Sequence, residues 1–73
     1  ATGQAAIKSP LPGVIIDIKV KVGDTVTSST VVAVLEAMKM ENNINAGKDG
    51  VVKAINVNKG DSVLEGTDLL VIE

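Results

Sequence analysis

Chemistry in this chain must come from lysines, carboxylates, hydroxyls and amides, because it holds no histidine, cysteine, arginine or aromatic residue. That removes the commonest general base, thiolate chemistry and the bidentate phosphate clamp. Two repeated dipeptides, Gly23-Asp24 and Gly60-Asp61, have the form of a catalytic carboxylate pair. Turn chemistry accounts for both, since Gly supplies positive φ and Asp hydrogen-bonds nearby backbone. No metal site is expected. One reactive candidate stands apart: Lys39, set between Met38 and Met40 in Glu36-Ala37-Met38-Lys39-Met40. The other six lysines read as solvation and edge protection.

The elements that position Lys39 follow from a repeat. Residues 7–36 align with 44–73 at a constant offset of 37 without a gap, and 11 of the 30 pairs are identical. The identities include Gly13/Gly50, Ile18/Ile55, Gly23/Gly60, Asp24/Asp61, Val26/Val63 and Glu36/Glu73. The fold is therefore expected to have pseudo-twofold symmetry. Twelve valines and seven isoleucines favour pleated structure, because branching at Cβ restricts χ1 and disfavours helix. Each half reads as about four short strands, giving an all-β flattened barrel or sandwich of two four-stranded antiparallel sheets with largely paired edges. Alternation predicts a core of Val14, Ile16, Ile18, Val20, Val26, Val34, Val51, Ile55, Val57, Val63, Leu69 and Val71. Residues 37–43 fall at the junction and are expected to form a hairpin. Symmetry then puts both termini at the end opposite Lys39.

Residues 1–6 read as a linker remnant and residues 7–73 as the domain. The net charge of −2 and the missing aromatics argue against nucleic acid, and no apolar run is long enough to span a bilayer with a helix. Pro10-Leu11-Pro12-Gly13 reads as a rigid turn with no counterpart in the second half, where Gly47-Lys48-Asp49-Gly50 stands. The first half thus carries something extra, which suits a contact with a partner.

Glu36-Ala37-Met38-Lys39-Met40 resembles the attachment sequence of the biotin carboxyl carrier family. Ser9-Pro10-Leu11-Pro12-Gly13-Val14 and Val22-Gly23-Asp24-Thr25-Val26 resemble that family's opening segment and first turn. The resemblance implies a barrel-sandwich hybrid that is not itself catalytic. Lys39 would carry covalent biotin, added by a biotin ligase. It would shuttle a carboxyl group as carboxybiotin between the biotin carboxylase and the carboxyltransferase or decarboxylase sites of a biotin-dependent carboxylase, decarboxylase or transcarboxylase. Met38 and Met40 would serve ligase or partner recognition, with Glu36 and Ala37 as weaker candidates. The gapless halves leave no room for the protruding thumb of some carriers, so the chain is more similar to the thumbless type. Cytoplasmic location is implied, or the mitochondrial matrix in a eukaryote. Two other readings remain open: a lipoyl carrier of an acyltransferase complex, and an unmodified β interaction module. The family places the bend at Met38-Lys39, whereas propensity alone favours Asn42-Asn43. Mildly strained, non-glycine backbone is therefore expected at the tip.

Overall fold

The computed structural model describes residues 4–73. Eight strands run in the order β1 (Ala5–Lys8), β2 (Gly13–Ile18), β3 (Thr25–Val26), β4 (Val31–Ala37), β5 (Met40–Asn45), β6 (Gly50–Ile55), β7 (Ser62–Val63) and β8 (Asp68–Ile72). They form two four-stranded sheets, ordered β1-β8-β6-β3 and β5-β4-β2-β7, with every pairing antiparallel. The offset of 37 carries β1 onto β5, β2 onto β6, β3 onto β7 and β4 onto β8, and so turns one sheet order into the other. The repeat is thus visible as a twofold exchange of whole sheets. β1 begins at Ala5, inside the stretch expected to be linker, while residues 1–3 lie outside the described residues.

Local interactions follow the same symmetry. Asp24 Oδ2 accepts the Lys21 backbone N–H at 2.9 Å, and Asp61 Oδ2 accepts that of Asn58 at 2.8 Å. Each carboxylate is held by its own turn, as an Asx residue should be. Thr30 Oγ1 and Thr67 Oγ1 accept the N–H groups of Thr27 and Leu64 in the next pair of turns. Gly13 and Gly50 have a different duty. A Cβ on Gly13 would overlap the Glu36 carbonyl oxygen, and one on Gly50 would stand 2.6 Å from that of Glu73. Both glycines let neighbouring strands approach more closely than any side chain permits.

The core differs from the alternation reading by one residue in places, for a physical reason. β2 slips against β4 between Ile15 and Asp17, and β6 slips against β8 between Val52 and Ala54. Such bulges insert a residue and reverse which face the chain presents. Ile15 and Val52 therefore point inward at 0% and 1% exposure, whereas the expected Val51 is 41% exposed. Val14, Ile16, Ile18, Ile55 and Val71 are half-buried, with Ile18 and Ile55 packed against the core. Val20, Val26, Val34, Val57, Val63 and Leu69 are buried as expected. Equivalent slips between Val31 and Ala33 and between Ile7 and Lys8 send consecutive residues inward. They place Val32 and Ala33, within the buried run Val32–Leu35, and Leu69 and Leu70 side by side in the interior. The core is wholly aliphatic, and Ser9 is the one buried polar residue among the described residues.

Candidate functional site

The junction between the halves is a two-residue hairpin. β4 and β5 pair Leu35 with Asn42, Glu36 with Glu41 and Ala37 with Met40, leaving Met38 and Lys39 as the loop. Both loop residues have positive φ, 54° and 65°. This is the geometry a two-residue hairpin favours because it matches the twist of the strands it joins. Neither residue is glycine, so each carries backbone strain on the order of 1 kcal/mol or more. The ladder behind the tip fixes the bend, and Asn42 reinforces it: its Nδ2 donates to the Met40 carbonyl at 3.2 Å and, more weakly, to that of Leu35 at 3.5 Å. Asn42 and Asn43, the better turn formers, are thus used inside β5.

This backbone puts the side chain of Lys39 in water. Lys39 is exposed, and among the described residues it has no ion-pair or side-chain hydrogen-bond partner. Its neighbours Met38 and Met40 are 93% and 66% exposed, a large apolar exposure for so small a fold. Ala37 is buried beneath them, while Glu36 stands exposed opposite Glu41. The pairings also locate the termini. From the tip they run back through Val31–Asn45, Ala46–Thr30 and Gly47–Ser28 to Gly50, which adjoins Glu73. Ala5 pairs with Ile72 at that same far end of a molecule 36 Å long and 18 Å wide. The amine occupies the pole opposite Ala5 and Glu73.

Sequence reasoning missed part of the tip. Leu11, Pro12 and Asn42 join Ala37, Met38 and Met40 around a cavity of about 160 Å³. The available signal was the Pro10–Gly13 segment, which breaks the repeat. That segment is anchored: Ser9 Oγ donates to the Leu11 carbonyl at 2.6 Å, Ser9 N–H donates to the Thr67 carbonyl, and the Ser9 carbonyl accepts from Gly66 N–H.

Away from the tip, several charged groups have structural partners. Asp17 accepts from Lys19 at 2.9 Å and lies 3.9 Å from Lys59. The Lys19 hydrogen bond lowers the Asp17 pKa, and the same bond raises that of Lys19. Among the described residues no group of His, Cys, Asp or Glu side chains could hold a metal. Chemically, the tip presents a hydrated amine that an external enzyme could acylate. It fits a covalently tethered acyl group and provides no acid or base of its own beside the amine.

Comparison with known proteins agrees with this geometry. The family described as biotin-requiring enzyme matches residues 5–72. The chain is 48% identical over 68 residues to the human mitochondrial propionyl-CoA carboxylase alpha chain, covering 93% of this chain and 9% of that one. It is 47% identical over 74 residues to the biotin carboxyl carrier protein of Streptococcus mutans, covering 99% of this chain and 57% of that one. The structure of Kluyveromyces lactis urea carboxylase superposes with a TM-score of 0.92 at 32% identity, over all of this chain and 6% of that one. The chain thus spans from under a tenth to just over half the length of these relatives. It belongs to the biotin-requiring enzyme family, as a biotin carrier domain.

Proposed function

We propose that Lys39 is the attachment point and that a biotin ligase acylates its Nζ. One observation carries this reading. The two-residue bend with positive φ at both positions holds an unpartnered amine in water, at the pole away from Ala5 and Glu73. In the attachment step the bond from Nζ to the biotinyl carbonyl forms as the acyl–oxygen bond of the biotinyl adenylate breaks. AMP leaves, and the ammonium gives up two protons to the ligase or to water. The product is an uncharged amide, which takes the formal net charge from −2 to −3.

When attached, biotin supplies a ureido nitrogen able to carry a carboxyl group. This chain's own contribution is position. The β4–β5 ladder keeps the base of the arm rigid, and the tip projects at the pole away from the β1–β8 pairing of Ala5 with Ile72. Tethering raises the local concentration of the carried group without tight binding at either site. Met38 and Met40, unbranched and exposed, suit contact with more than one partner surface. Glu36 and Ala37 have lesser roles, Glu36 as an exposed charge and Ala37 as packing beneath the tip.

The parent assembly, on this reading, is an acyl-CoA or oxaloacetate carboxylase or decarboxylase, with biotin carboxylase and carboxyltransferase or decarboxylase partners. The carboxylase names among the relatives support that class. We place it in the cytoplasm, or in the mitochondrial matrix of a eukaryote. Lipoyl carriage is disfavoured by the methionines on both sides of Lys39 and by the carboxylase relatives. Intact mass after coexpression with a biotin ligase tests the assignment. One biotin per chain is expected, none on Lys39→Arg, and an unchanged fold for that variant. Residual biotin on Lys39→Arg, or a lipoyl group on the parent, would overturn it.

A further inference from the structure

The cavity beside the tip is unexplained by the fold. Five of its six lining residues are apolar, namely Leu11, Pro12, Ala37, Met38 and Met40. Two of them, Met38 and Met40, flank Lys39 directly in the chain and Ala37 is one residue further, so whatever hangs from that lysine begins beside the cavity. The twofold symmetry supplies a control. At the other pole the counterparts of Leu11 and Pro12 are Lys48 and Asp49, and Asp49 Oδ1 accepts the Ser28 backbone N–H at 3.0 Å. The same scaffold therefore folds with polar residues at the positions equivalent to Leu11 and Pro12. Leu11 remains 41% exposed, alongside the exposed methionines.

We propose that this cavity receives the bicyclic ureido ring of the biotin borne by Lys39, as a resting position between visits to partner sites. The inference rests on Lys39 being the attachment point. A volume of about 160 Å³ is that of one ring-sized apolar group. Cavities of about 150 Å³ in protein cores take up benzene. The cavity is open, so the second ring of the bicycle can stay at its mouth. The one polar lining residue is Asn42. Asn42 directs its Nδ2 at the carbonyls of Met40 and Leu35, and its Oδ1 is then the atom offered to a ureido N–H. Sulfur and ring carbons would lie against Leu11, Pro12 and the methionine thioethers. Folding back covers apolar surface that is otherwise wet, and the small contact keeps release easy, which a carrier requires.

The test uses domain biotinylated by a ligase, with mass spectrometry first confirming one biotin on Lys39. Methyl NMR of the Leu11, Met38 and Met40 side chains is then compared between unmodified and biotinylated protein. Shifts at these methyls, with nuclear Overhauser contacts to the ring protons, are expected. Avidin captures only the undocked arm, so half-occupancy of the cavity slows capture about twofold, and Leu11→Ser restores the faster rate. Biotin on Lys39 with no ring contacts, and equal capture by parent and Leu11→Ser, would overturn this inference alone. A parent domain that takes up no biotin would overturn the attachment reading and this inference together.

Discussion

The bulge in β6 makes adjacent valines energetically unequal, and truncating each in turn measures the difference. Val52 is 1% exposed and faces the core, whereas Val51, one residue earlier, is 41% exposed. Val→Ala removes two carbon groups, which at about 0.8 kcal/mol each gives roughly 1.6 kcal/mol for a fully buried site. Val52→Ala also leaves a cavity in a close-packed aliphatic core, raising its cost to about 2–3 kcal/mol. Val51→Ala retains little of either contribution and should cost under about 1 kcal/mol. A domain of 73 residues has a total stability of roughly 4–11 kcal/mol. Val52→Ala should therefore lower the urea midpoint markedly at unchanged m-value, and drop Tm by about 10–20 °C. Equal losses, or a larger loss at Val51, would refute the register assigned to β6 and, by symmetry, to β2.

Three further outcomes are expected. Gly13→Ala should destabilise the tip end of the molecule, because its Cβ meets the Glu36 carbonyl; Gly50→Ala should do the same at the other pole, and backbone amide shifts confined to each pole would show it. Asp17 is held below the ordinary carboxylate value of 3.8 chiefly by its Lys19 hydrogen bond. Its small stabilising effect is thus present above that unfolded value and fades as pH falls through the lowered folded value; Asp17→Asn should remove this part of the acid dependence, read as stability against pH. Replacing Met38 by glycine should leave the hairpin intact, since its φ of 54° suits glycine, while slowing biotinylation if the methionine contacts the ligase; circular dichroism and initial labelling rates separate the two effects.

Much of the fold was legible because it is written twice. The repeat gave the symmetry, the turn pairs and the junction, and the Asp24 and Asp61 contacts show why these dipeptides recur. The bulges were hidden. Val14, Ile15, Ile16, Val51 and Val52 are all apolar, so composition does not reveal which one the ladder leaves as the extra residue. The position of the bend was equally obscure to propensity, which pointed at Asn42-Asn43; strand pairing outweighs the strain at Met38 and Lys39. Family resemblance located it instead. Lys39 itself could be singled out from its surroundings in the sequence. The cavity beside it could not, because Leu11 and Asn42 meet only when the Pro10–Gly13 segment folds against the tip.

The most direct check on the account is to digest ligase-treated domain and sequence the modified peptides by tandem mass spectrometry. The chain carries seven lysines, and others besides Lys39 are exposed, so exposure alone does not distinguish the acceptor. Biotin confined to Lys39 is the predicted result. Biotin on a strand lysine such as Lys53, or spread over several sites, would contradict the claim that this hairpin presents the reactive amine.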